Sequence, residues 1–119
     1  MASEIPGPQP GDAHFVAAGA GSRHRIFPGV EIATVAGRGV MLSVVHFEPD
    51  AVVLEHSHPH EQIGVLLSGH LEFTIGAETR TVGPGDHWRI PGGVPHKAIA
   101  RGGPAVALDV FHPIREDYL

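Results

Sequence analysis

The segment Glu55-His56-Ser57-His58-Pro59-His60-Glu61-Gln62 concentrates side chains that can hold a metal or move protons. In a strand, residues two apart project to the same face, so His56 and His58 would point together. Two such imidazoles can share one ion at about 2.0–2.1 Å each. A third ligand could come from His60 or from a residue past the Pro59 bend, and Glu61 and Gln62 are the neighbouring oxygen donors. Further along, His96 follows the loop Pro91-Gly92-Gly93-Val94-Pro95 and starts a new apolar run. Asp109 lies within Ala105-Val106-Ala107-Leu108-Asp109-Val110-Phe111. A carboxylate in such a run is either paired or faces a cavity. Period two places Asp109 and Phe111 on one face with Ala107, opposite Val106, Leu108 and Val110. Arg115 could grip a substrate carboxylate bidentately or bridge Glu116 or Asp117. Nucleophilic and nucleotide chemistry find no support. Ser43, Ser57 and Ser68 lack a nucleophile elbow, and Gly37-Arg38-Gly39 precedes no helix.

The whole chain narrows the options further. Its 119 residues suit one domain, and 42% hydrophobic residues suit one core. No run approaches the roughly 18 apolar residues of a spanning helix. The N-terminus lacks the basic start and apolar stretch of a signal peptide, so a cytoplasmic protein is expected. The absence of cysteine removes disulfides, thiolate ligands and a cysteine nucleophile. Eight Lys and Arg against 13 Asp and Glu give a net charge of −5, the wrong sign for a nucleic-acid binder. Ten histidines without cysteine point to imidazole as the site chemistry.

These residues need short strands to carry them. Sixteen Gly and 11 Pro punctuate a period-two pattern from Arg25 onward. Strands are expected through Val35 from Pro28-Gly29, then over 40–47, 52–58, 63–67, 71–75, 79–82, around Trp88 and Ile90, 96–100 and 105–111. No stretch carries a helical period with caps. The fold class is all-β, a closed barrel or a sandwich. Residues 1–24, with Pro6, Pro8 and Pro10, read as a loosely ordered extension, and 25–119 as the domain. Met41 and Val44 are expected to line a pocket. His60 is expected at the solvent-facing mouth, and His24 is read as an ordinary surface residue. A chain this small leaves sheet edges and an outer face exposed, so a homodimer with a contribution from the N-terminal strands is expected.

Together the two histidine segments resemble the cupin family. Its first motif, G-x5-H-x-H-x3,4-E-x6-G, falls on His56, His58, Gln62 and Gly69, with Asp50 or Ala51 where the leading Gly stands. Its second, G-x5-P-x-G-x2-H-x3-N, falls on Gly85, Pro91, Gly93 and His96, with Ala100 for the final Asn. The resemblance implies a cupin double-stranded β-helix, a jelly-roll barrel of one domain. The string from His56 to Ile63 and the tail from Leu108 to Leu119 are similar to the pectin-degradation cupins of the KdgF type. Those enzymes open unsaturated uronate monomers to the linear keto form. The likeness runs from about Gly29 to Leu119. It implies a metal held by His56, His58, Gln62 and His96, and pocket residues at Asp109, Phe111 and Arg115. On this reading Asp109 and Arg115 are catalytic, and Phe111, Arg115 and Trp88 form the surface that meets an anionic small-molecule substrate. Gln62 departs from the usual Glu and leaves the metal's charge uncompensated. An all-neutral shell disfavours Ca²⁺ and Mg²⁺, leaving one divalent Zn, Ni, Fe, Mn or Cu per chain. An Fe(II) dioxygenase and a non-catalytic binding cupin are the alternatives on the same scaffold.

Overall fold

Alternation of apolar and polar residues builds ten strands, connected by turns in which Gly and Pro recur. The structure is a computed structural model and describes residues 14–119. The strands are β1 (Ser22–Phe27), β2 (Val30–Ala36), β3 (Met41–Phe47), β4 (Val52–His56), β5 (Glu61–Ser68), β6 (Leu71–Ile75), β7 (Glu78–Val82), β8 (His87–Ile90), β9 (His96–Ile99) and β10 (Ala105–His112). A 3₁₀ turn, Glu116–Tyr118, follows them. Six strands form one antiparallel sheet in the order β1-β2-β3-β10-β5-β8, and four form the other in the order β4-β9-β6-β7. This is the expected all-β jelly roll. Among the described residues no helix is long and apolar enough to cross a membrane.

The two sheets bury their inner faces against each other. Ile32, Met41, Leu66, Leu71 and Ile90 are almost completely enclosed, and each such side chain stabilises the fold by about 1.5–3 kcal/mol. In β10 the buried residues are Ala105, Ala107, Asp109 and Phe111, so the period-two assignment of that strand holds. In β3 the inward set is Met41, Ser43, Val45 and Phe47. Val44 therefore points to the outer face, and Met41 is packed in the core. Ser43 and Val45 line the cavity instead.

One strand was not expected, and two boundaries differ by two residues from the sequence expectation, beside shifts of one residue elsewhere. Strand β1 begins at Ser22 and pairs along β2, with Ser22 opposite Thr34 and His24 opposite Ile32. Residues 22–24 of the expected extension thus belong to the sheet. Their polar alternation hid them, because an edge strand buries only half of one face. The first 13 residues of that extension lie outside the described ones. Strand β4 stops at His56, so His58 lies beyond it in a loop. Strand β5 starts two residues early, at Glu61, which brings Gln62 into the ladder. Asp50 has φ of 62°, the left-handed region that favours glycine. It therefore fills the leading Gly position of the first motif, and its Oδ1 accepts from the Gly102 N–H at 2.9 Å.

Candidate metal centre

Buried polar side chains require a reason. Among the described residues, those that are buried are Thr34, Ser43, His58, Gln62, His96, Asp109 and Arg115. Thr34 and Ser43 satisfy each other at 2.7 Å. The remaining five are all residues that the sequence assigned to the site.

Strand register brings the histidines together. His56 closes β4 directly opposite His96 of β9, and their ring centroids are 4.4 Å apart. The His58 ring lies 4.9 Å from that of His96 and 5.6 Å from that of His56. Although His58 lies outside a strand, the second motif fixes it. The Gly93 N–H donates to the His58 carbonyl at 2.8 Å. Gly92 permits this docking, since a Cβ there would run into the Pro59 carbonyl. The ligand atoms of His56, His58 and His96 all lie within 4.8 Å of one another.

Backbone carbonyls set the tautomers. Nδ1–H of His56 donates to Leu54 at 2.9 Å, that of His58 to His60 at 3.1 Å, and that of His96 to Val94 at 3.0 Å. Each Nε2 then carries a lone pair, the arrangement typical of metal-bound histidine. Nε2 of His96 is buried with no hydrogen-bond partner. Nε2 of His58 faces Oε1 of Gln62 at 3.0 Å, so two acceptors confront each other. Two ligands at right angles on a metal at about 2.1 Å would be about 3.0 Å apart. Burial also lowers the proton affinity of His58, reinforced by Arg115, and takes His96 down to about 4. Both are neutral at pH 7. The three histidines and Gln62 fit a divalent metal.

Asp109 stands beside this set. Its Oδ1 accepts from the Trp88 indole N–H at 2.8 Å, and Gln62 lines the same cavity. Burial raises its pKa to about 6, against the opposing pull of Gln62, Trp88 and Arg115. The indole N–H, the one polar group of Trp88, is thus committed to Asp109, and the ring contributes an apolar wall. Phe111 meets the His58 ring at 5.7 Å, edge to face.

Arg115 bridges Asp117, one of the two roles weighed from its sequence context, and its side chain also lines the cavity. Its Nε and Nη2 donate to the two carboxylate oxygens of Asp117, at 3.3 and 2.9 Å. Nη1 donates to the Tyr118 hydroxyl at 2.9 Å. A guanidinium has five N–H donors, so two remain for an anionic ligand. Tyr118 was missed from the sequence. Its carbonyl is tied to strand β1 by Ser22 Oγ at 2.8 Å and by His24 Nε2 at 3.1 Å. His24 is accordingly a clasp on the C-terminal turn. His60 is half-buried rather than solvent-facing, and it serves the site through its carbonyl.

Comparison with known proteins agrees with this fold. A family model described as Cupin domain matches residues 43–111. KdgF from Halomonas sp. is 30% identical, with 90% of this chain and 99% of that one covered and a TM-score of 0.81. An RmlC-like cupin from Shewanella frigidimarina is 22% identical over 90% of this chain and 96% of its own, with a TM-score of 0.82; it supports the fold alone. Dimethylsulfoniopropionate lyase DddQ from Ruegeria pomeroyi is 43% identical over 54 residues, 44% of this chain. That stretch spans 27% of the lyase, about a quarter of its length.

Proposed function

The chain belongs to the Cupin domain family, and we propose that it is a metal-dependent enzyme that opens a cyclic unsaturated uronate to its linear keto form. One observation carries this reading. Asp109 and Arg115, a proton-transfer group and an anion clamp, line the same cavity as His56, His96 and Gln62. The likeness to KdgF over nearly the full length of both chains supports it.

When bound, a divalent metal with neutral ligands supplies a Lewis acid that favours an ionised hydroxyl. The two free N–H groups of Arg115 hold the substrate carboxylate, and Phe111 and Trp88 wall the ring. Asp109 removes the proton of the anomeric hydroxyl. The new C1=O bond forms as the bond from C1 to the ring oxygen breaks, and the electron pair leaves on that oxygen as the enolate of C5. Asp109 then returns the proton to C4, and the enol becomes a ketone at C5. Atoms balance without a co-reactant. A carboxyl that titrates near neutrality suits both transfers.

The test is to load the protein with Zn, Ni, Fe, Mn or Cu and supply a 4,5-unsaturated uronate monomer. The expected result is accelerated loss of the alkene signal and growth of the linear ketone in proton NMR. No acceleration over the uncatalysed reaction with any of these metals would overturn the proposal. Turnover of the uronate only with Fe(II), and with O₂ consumed, would favour the dioxygenase reading.

A further inference from the structure

Asp109, Gly64 and Trp88 lie side by side on three adjacent strands. Gly64 of β5 is paired with Asp109 of β10 on one side and with Trp88 of β8 on the other. Strands two apart in a sheet are separated by about 9.5 Å, with a side chain normally standing between them. Here nothing stands between them. A Cβ on Gly64 would overlap both Oδ1 of Asp109 and Nε1 of Trp88. A glycine inside a strand weakens it, and close approach of other groups is a reason to keep one. Across this gap the indole N–H reaches the carboxylate at 2.8 Å.

We propose that Trp88 is a positioning residue for the metal centre, acting through Asp109 on the side-chain amide of Gln62. An indole N–H can only donate, so it fixes one carboxylate oxygen and with it the plane of the group. Gln62 lines the same cavity as Asp109 and holds down its proton affinity, as an amide NH₂ turned toward the carboxylate would. Oε1 of Gln62 is then the atom left to face His58, as observed at 3.0 Å. Without the anchor the carboxylate can rotate, and a flipped amide would present NH₂, which cannot ligate a metal. The relay therefore selects which end of Gln62 meets the ion. Gly64 is the space it needs.

This inference rests on the metal reading of the site and not on its substrate. Trp88 is the only tryptophan in the chain, so one indole N–H cross-peak reports on it directly. In ¹⁵N-labelled full-length protein, Asp109→Ala should move that peak upfield and speed its exchange with water. Trp88→Phe keeps an aromatic ring against Phe73, which lies 4.9 Å from the indole. It should lower Co(II) affinity by about 10–100-fold, the usual cost of losing an outer partner of a ligand. The visible Co(II) spectrum should change while the melting temperature stays close to that of the parent. Gly64→Ala should reproduce the spectral change by wedging the pair apart. An unmoved cross-peak in Asp109→Ala, or a parental Co(II) spectrum and affinity in Trp88→Phe, would overturn the proposal alone. Failure of the parent protein to bind Co(II) would overturn the metal reading with it.

Discussion

Oε1 of Gln62 lies 3.0 Å from Nε2 of His58, an acceptor facing an acceptor. The pair makes sense around a cation, and its neutrality decides how strong a Lewis acid that cation is. Gln62→Glu would cancel part of the charge and set a second carboxylate against Asp109. Metal should be retained, while turnover on the uronate should fall on the order of tenfold. Chelator competition and steady-state kinetics check both. Unchanged turnover would show that the neutral shell is irrelevant to rate.

Much of this centre was legible in the sequence because its parts are local. The spacing of His56 and His58 suggested a shared ion, the resemblance carried by the two motifs implied Gln62 and His96 as the further ligands, and period two put Asp109 and Phe111 on one face. Other parts rest on contacts between distant segments. Ser22 meets Tyr118 across 96 positions, and the partner of Trp88 depends on the order of three strands. Nothing local to Ser22, Tyr118 or Gly64 signals those meetings. Val44 was misplaced by one position of strand parity, which is enough to move a side chain to the opposite face.

Arg115 should control affinity more than rate. Asp117 and Tyr118 fix its guanidinium plane, leaving two donors in a fork that an ammonium cannot copy. Arg115→Lys should raise KM roughly tenfold with kcat within about twofold. A fall in kcat at constant KM would assign Arg115 to the transition state instead.

Acid stability of the metal-free protein should reflect two opposing groups. Buried His96 takes a proton only near pH 4, against 6.5 for an ordinary imidazole, and His58 is shifted the same way. Between those values the unfolded chain binds more protons, so acidification destabilises the fold. Buried Asp109 acts in the other direction. It binds its proton near pH 6 when folded, against 3.8 ordinarily, and stabilises the fold as pH falls through that window. Asp109→Asn removes this compensation. Its melting temperature should exceed that of the parent at pH 7.5 and drop more steeply between pH 6.5 and 4. Parallel curves for the two apoproteins would contradict the assignment.

The outer face of the six-stranded sheet carries an apolar row, with Val110 paired to Leu42 on one side and to Ile63 on the other. Leu42, Ile63 and Leu67 are 42%, 48% and 51% exposed. A second copy of the chain is the proposed cover for this face. Light scattering should return about twice 12.6 kDa, and Ile63→Lys should shift the protein toward the single-chain mass. A parent protein near 12.6 kDa at micromolar concentration would count against pairing.

Asp109 is the group proposed to move the proton beside the metal. The decisive measurement is the rate of ring opening of a 4,5-unsaturated uronate by Asp109→Asn, with metal content and fold verified in the same sample. The predicted result is a loss of about 10²–10⁴-fold in turnover with the metal still bound. An Asp109→Asn protein that opens the ring at the parental rate would contradict the mechanism.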